Sequence, residues 1–245
     1  ARLALLMKPA LDSMALRNKN ISNLITLGVN PILAANTQYM QHSIISLVIN
    51  LVGLQNAVYG ILGFKNDKEG KDILYKVIET ATDIASKKGK KDLGMSTIVT
   101  MTESDGTERF IALDGGKYGK NSVQQITNAE LNPDLAQRDA SLKINKETYS
   151  QGIVLDIDTL LGLTGKSAEI IECDKISKTL SGGLLIQIVM PKGTDVSKIK
   201  KVIEKASSIT NSFKPVMKVS TCGNCGFKDE KLVDKCPTCK STYII

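Results

Sequence analysis

The sequence predicts an α/β fold that ends in a small metal-binding ribbon, and three observations carry that reading. Amphipathic helical patterns alternate with short apolar runs along most of the 245 residues. The run "GLLIQIVM" is short, apolar and bounded by Gly183 and Pro191, as a fully buried strand is. Two C-x-x-C pairs, Cys222 with Cys225 and Cys236 with Cys239, stand close to the end.

The elements follow in order. "ARLALLMKPALDSMALRNKNISNLI" carries Leu3, Leu6, Met7, Ala10, Met14 and Leu24 near helical spacing, with Pro9 early, and reads as one helix or two short ones. Gly28 and Pro31 in "TLGVNPIL" break it. From Asn20 to Phe64 there is no Asp, Glu, Lys or Arg, and Ile44 to Phe64 is long enough to span a bilayer. Asn50, Gln55 and Asn56 would then lie at mid-membrane. A helix buried inside a soluble core is the better reading, with its amides satisfied at a pocket wall.

"NDKEGKDILYKVIETATDIASKKG" places Ile73, Leu74, Val77, Ile78, Ala81 and Ile84 on one helical face, with Gly89 as its C-cap. After Gly89 the period changes. "MSTIVTMT" and "ERFIALD" read as a hairpin around Asp105-Gly106. The stretch from "GGKYGKNS" to about Lys146 reads as loop. "GIVLDIDTLLGL" fits a strand or a helix, "AEIIECDKISKTLSGG" a helix, and "DVSKIKKVIEKASSI" an amphipathic helix capped by Asp195 or Ser197. "KPVMKVSTC" leads as a strand into the ribbon, which divides the chain into domains at 1–217 and 218–245.

Composition narrows the function classes. A hydrophobic fraction of 42% with 23% charge belongs to an ordinary soluble protein. The net charge of +7 rests on lysine and fits nucleotide, nucleic acid or plain solvation alike. "KKGKK" (87–91) reads as a solvated helix end. With no Trp and few Phe or Tyr, an aromatic platform for stacking single strands is not expected. Five cysteines, four in paired metal spacing, point to a reducing compartment; with no signal peptide in view, the cytoplasm is expected. Ala1 in place of a methionine leaves the natural start open.

The four paired cysteines are the strongest chemical signal. Two residues between thiolates let both sulfurs reach one ion, and Gly223 and Gly226 permit the tight backbone. Four thiolates close a tetrahedral shell suited to zinc, with an iron–sulfur cluster or a redox pair as the alternatives. A closed shell holds structure and leaves no position for a substrate. Other motifs are weaker. "GLTGKS" fails as a phosphate loop because Leu160 stands where its first glycine belongs, and "LDGGKYG" lacks a dinucleotide fingerprint. His42 is the single histidine and reads as a boundary residue. Cys173, between Glu172 and Asp174, reads as a blunted structural thiol.

Several segments, in order, resemble the class III (anaerobic) ribonucleoside-triphosphate reductases, which use a glycyl radical. "INLVGLQNAVYGILG" is similar to that family's "IGLVGLNEA" helix. "TESDGTERFIALDGGKYG" resembles its "TPAEGT.YRLA.LD" hairpin through Gly106, Thr107, Arg109, Leu113 and Asp114. "GKNSVQ" resembles its "YTNSTQ" loop through Asn121 and Ser122, and "LSGGLLIQIVM" its "YTGG" strand through Gly182 and Gly183. The two C-x-x-C knuckles fall where the family has a zinc ribbon.

The resemblance implies half of a ten-stranded α/β barrel with a C-terminal zinc ribbon, and Asn121, Ser122, Gly182 and Gly183 as substrate-pocket candidates. It also marks departures. Gln55-Asn56 replaces an Asn-Glu pair, and Gln187 replaces a histidine. The radical glycine after the ribbon and the thiyl cysteine upstream have no counterpart here. The chain is therefore expected to be catalytically incomplete alone, with no catalytic residue assigned, and to pair with a second copy or a chain carrying the other half-barrel. Nucleotide is a candidate ligand. A zinc-ribbon module binding nucleotide or nucleic acid without catalysis is the alternative, and a small enzyme of another kind finds little machinery.

Overall fold

The computed structural model describes residues 2–29, 46–64, 67–93, 96–131, 148–217, 219–229 and 233–244. Helix α1 (Arg2–Thr26) runs unbroken with Pro9 inside it. Strand β1 (Leu47–Asn50) follows, then a π-helical turn (Asn56–Ile61), helix α2 (Lys68–Lys88) and strand β2 (Thr97–Met101). Helices α3 (Gly106–Tyr118) and α4 (Lys120–Leu131) come next. Strand β3 (Ile153–Asp156) runs into the short helix α5 (Ile157–Leu160), and α6 (Ser167–Thr179) leads to β4 (Gly183–Met190). Helix α7 (Val196–Ser207) and β5 (Ser212–Met217) complete the larger part.

The five strands form one parallel sheet in which β4 is the hub. Its first residues pair with β2 (Thr100↔Gly183, Met101↔Leu184), and farther along it pairs with β3 and β5. β1 pairs with β2 in register Leu47↔Thr97. Parallel neighbours need a crossover, and α2, α5 with α6, and α7 supply the three that join β1–β2, β3–β4 and β4–β5. Leu184, Ile186 and Ile188 of β4 are buried against Val99, Met101 and Leu155 and against the α2 stripe of Leu74, Ile78, Ala81 and Ala85. That α2 stripe matches the spacing expected from sequence, and Asp67 caps the helix by accepting from Gly70 N at 3.1 Å. Asp195 caps α7 in the same way, accepting from Ser197 N at 2.8 Å.

Parallel sheets are usually covered on both faces. Here the alternate residues point away from the helices and remain partly open, with Val48 52% and Val154 51% exposed. Gln187 and Lys214 share this open face.

Three expectations are corrected. The apolar stretch over 44–64 is not one helix: its described part is β1, a left-handed turn at Gly53 (φ +69°) and the π-helical turn. A segment with no charge has no polar face to set its period, so strand and helix look alike. The hairpin around Asp105-Gly106 is instead β2 followed by α3, because Ser104 turns the chain into a helix: its Oγ accepts from Gly106 N at 3.3 Å. The expected loop through "GGKYGKNS" is the end of α3 and the start of α4. Gly89 is the C-cap of α2, as expected, but at φ −56° rather than left-handed, and the chain continues into a further π-helical turn. No helix among the described residues is long and apolar enough to cross a membrane. His42 lies outside the described residues.

Candidate functional site

The C-terminal segment is built around four sulfurs. Strands β6 (Ser220–Thr221) and β7 (Lys228–Asp229) pair antiparallel and bring up the first knuckle. In each knuckle an amide reaches back to the first cysteine's carbonyl: Gly226 N to Cys222 O at 2.8 Å, and Lys240 N to Cys236 O at 3.0 Å. The residue after the second cysteine is left-handed both times, Gly226 at φ +77° and Lys240 at φ +59°. Gly226 suits that role, whereas Lys240 holds it against its Cβ. Cys222 and Cys239 sulfurs lie 3.5 Å apart, Cys225 and Cys236 sulfurs 3.6 Å, and all four lie within 4.8 Å of one another. Sulfurs about 2.3 Å from a common tetrahedral ion would be about 3.8 Å apart, so the cluster fits a metal ion.

Charge makes the same point. At Cys236, burial opposes the thiolate, but N–H groups of Cys239 and Thr238 with thiol hydrogen bonds from Cys225 and Cys222 outweigh it, bringing the group down to about 6. At Cys225 the Phe227 N–H favours the thiolate, yet burial and the hydrogen bonds with Cys239, Cys236 and Cys222 push it up to about 12. Four thiolates this close repel one another, and a cation at their centre lets all four ionise.

A second site lies on the open face of the sheet. A polar cavity of about 250 Å³ forms where α3 begins, above Gln187 of β4 and Lys214 of β5. The Gln151 side chain organises it: its Oε1 accepts from Ser104 N at 2.8 Å and its Nε2 donates to Thr107 Oγ1 at 2.8 Å. Thr107 Oγ1 donates in turn to Ser104 O at 3.1 Å, and Gln187 Nε2 donates to Gln151 O at 2.8 Å. Lys214 pairs with Glu103 across the opening. This network fixes the N-terminal end of a 13-residue helix over the cavity, and that end carries a partial positive charge suited to an anion such as a phosphate. Sequence reasoning missed Ser104, Thr107 and Gln151 because the hairpin reading hid the helix start.

A larger, mostly apolar cavity of about 460 Å³ adjoins it through Tyr149 and lies between the π-helical turn, α3 and α4. Asn56, only 2% exposed, stands in its wall and accepts from Ser150 N at 2.6 Å, so the expected amide at a pocket wall is present. Tyr149 donates to Asp114 Oδ2 at 2.7 Å; burial, then that bond and the Asp114 charge, push its phenol above the usual range. Asn121 and Ser122 occupy the first turn of α4, and Ser122 lines this cavity. Gly182 and Gly183 open β4 against the end of β2, with Gly182 N donating to Val99 O at 2.9 Å, and line neither cavity. The two pairs of candidates are therefore not brought into one pocket.

Cys173 is a buried thiol of α6. Burial first, then the Glu172 and Glu169 carboxylates, push it up to about 12 against the opposing pull of Lys71. Its folded value exceeds the ordinary 9.0, so the fold favours the protonated form and this stabilisation fades as pH rises from about 9 to about 12. We expect Cys173 to resist alkylation at pH 8 in the folded protein and to react readily in denaturant, as mass spectrometry of the labelled peptides would show. Rapid native labelling would contradict the burial.

No protein-family profile matches the chain, and no curated protein matches it. Solved structures do. The chain superposes over 100% of its length on 37% of the anaerobic ribonucleotide reductase from Thermotoga maritima with dATP bound in its specificity site, at TM-score 0.56 and 18% identity. A second structure of that enzyme, with glycerol in its active site, matches 99% of the chain over 35% of its own, at TM-score 0.56 and 18% identity. Another anaerobic ribonucleotide reductase matches 99% of the chain over 34% of its own, at TM-score 0.55 and 17% identity. The chain thus has the fold of about a third of these proteins, and spans about a third of their length.

Proposed function

We propose that this chain is part of an anaerobic, glycyl-radical ribonucleoside-triphosphate reductase, serving the conversion of ribonucleotides to the deoxynucleotides of DNA. The observation that carries the reading is the whole-chain likeness to such reductases at TM-score 0.56. Several features support it. The sheet is parallel and keeps one face open, as half of a ten-stranded barrel would before its other half or a second copy covers it. The cysteine module would hold zinc in Cys222, Cys225, Cys236 and Cys239, and 218–245 would form a ribbon domain apart from 1–217. The family's radical glycine and thiyl cysteine match no residue here, so the reaction would need chain or partner that supplies them. We place the enzyme in the cytoplasm.

The nucleotide's phosphates would meet the N-terminal end of α3 in the polar cavity. Its remaining part would extend past Tyr149 toward Ser122 and Asn121, with Gly182 and Gly183 holding β2 and β4 close beneath. The test is a titration with ribonucleoside triphosphates, dATP, DNA and RNA at two salt concentrations. Saturable nucleotide binding with weak polynucleotide binding is expected. Polynucleotide binding that falls steeply with salt, without nucleotide binding, would contradict the reading and favour a zinc-ribbon nucleic-acid module.

A further inference from the structure

We infer that the apolar cavity between the π-helical turn, α3 and α4 holds the base of the nucleotide, and that Asp114 selects a base with an amino group, cytosine or adenine, over uracil. This rests on the nucleotide reading above and adds which nucleotides the site takes.

The walls decide which part of a nucleotide enters. The cavity has about 460 Å³, and Val52, Ala57, Ile61, Val123 and Ile126 make its lining mostly apolar. That size lies within the range of about 300–1,000 Å³ common to small-molecule sites. A ribose carries hydroxyls on several sides, and these walls would leave them without partners. A flat heteroaromatic ring buries its faces against such walls and keeps its polar groups at its edge.

Asp114 is the one charged residue among those lining the cavity. Among the described residues no cation forms an ion pair with it. Tyr149 donates to its Oδ2 at 2.7 Å, and no hydrogen bond among the described residues reaches Oδ1. An ionised carboxylate only accepts hydrogen bonds, so the ligand edge that meets it must donate. The exocyclic amino groups of cytosine and adenine do so, whereas uracil presents a carbonyl oxygen at the corresponding position.

The Asp114–Tyr149 pair is held from both ends. Next to Tyr149, Ser150 O accepts from Gly53 N at 2.8 Å and Ser150 N donates to Asn56 Oδ1 at 2.6 Å, which ties this strand of chain to the π-helical turn. Gly53, at φ +69°, leaves room for Tyr149, whose Cβ would lie 3.3 Å from a side chain added there. On the opposite wall Gly60 lets α4 approach, since an added Cβ would lie 2.8 Å from Ile126 O. π-helical turns are rare and recur at functional sites, and this one lines the cavity with Asn56, Ala57 and Ile61. The acceptor is thus fixed before a ligand arrives, which lowers the cost of binding. Asp114 also lies about two turns along α3 from Thr107, about 10 Å at 1.5 Å per residue. A nucleotide whose phosphates meet the first turn spans that distance to its base.

Calorimetry on the full chain at fixed magnesium, with CTP, UTP and 4-deamino-CTP as probes, tests this. CTP should bind at least about tenfold more tightly than either of the others. Asp114→Asn, whose amide can donate to the uracil carbonyl, should bring the CTP-to-UTP ratio to about one or below. The deamino analogue asks the same question of the wild-type protein, so the test stands even where circular dichroism shows the variant misfolded. Equal affinity for CTP and UTP, or tighter UTP binding, would overturn the inference and leave the nucleotide reading standing. So would a deamino analogue that binds as CTP does, or a preference that survives in folded Asp114→Asn. Absence of binding by all three would overturn the nucleotide reading itself, and the inference with it.

Discussion

Replacing Cys236 by serine should abolish metal binding by the C-terminal module and unfold it, while the five-stranded sheet stays intact. The reason is how little else holds the module. Its buried residues among those described are Ser220, Cys222, Gly223 and Cys236, so the cysteine sulfurs are its core. A segment this small has no apolar interior to fall back on. Structural zinc sites bind with about 10–16 kcal/mol, and zinc held by these four thiolates would supply the folding free energy of the module. Elemental analysis should find one zinc per wild-type chain and much less in Cys236→Ser. Hydrogen exchange over 219–229 and 233–244 should rise to unprotected rates in the variant. Protection that survives metal loss would show that side-chain packing, not the ion, holds the module.

Gly152→Ala should be the most damaging single substitution in the sheet. Gly152 enters β3 at φ +66°, and a Cβ there would lie 2.2 Å from the Leu185 carbonyl oxygen and 2.9 Å from Leu185 Cβ. The obstacle is backbone of β4, which is paired with β2, β3 and β5 and cannot step aside without disturbing the whole sheet. A left-handed alanine alone costs about 1–2 kcal/mol. The clash should raise the total to about 3 kcal/mol or more, a large share of a typical domain's stability. For a chain of this size that corresponds to a fall in Tm of roughly 6–12 °C. Gly162 is the control: at φ +76° it has nothing within 4 Å of the added Cβ, so Gly162→Ala should lose only the backbone term. Equal losses from the two variants would contradict the close approach of Gly152 to β4.

Where a segment has one wet face or is sealed on every side, the sequence was sufficient. The α2 stripe, the amphipathic α7 and the buried run of β4 all stand where periodicity put them. The paired cysteines converge because two intervening residues in each knuckle leave their sulfurs few other places to go. The ambiguous "GIVLDIDTLLGL" is both things at once, a strand to Asp156 and then a short helix that the Asp156 carboxylate caps, accepting from Thr159 N at 2.7 Å.

The misreadings share a cause: local signals that serve two structures. Asp105-Gly106 favours a tight turn, but here Gly106 is the first residue of a helix whose inward positions are Thr107, Ile111 and Asp114. Those positions are only visible as one face once the period is known to be helical. The polar cavity could not be read at all, because Gln151, Gln187 and Lys214 are far apart in sequence and meet only through strand register. Ser150 gave no signal either, since nothing about a lone serine says that its hydroxyl will be buried without a partner.

The most direct test of the reductase reading is a crystal structure of the protein grown with a ribonucleoside triphosphate and magnesium. The account predicts phosphate density at the first turn of α3, between Ser104, Thr107 and Ser150, with the nucleoside running toward Tyr149 and Ser122. Nucleotide bound elsewhere on the surface, or a cavity closed by side chains with nucleotide at saturating concentration, would contradict it.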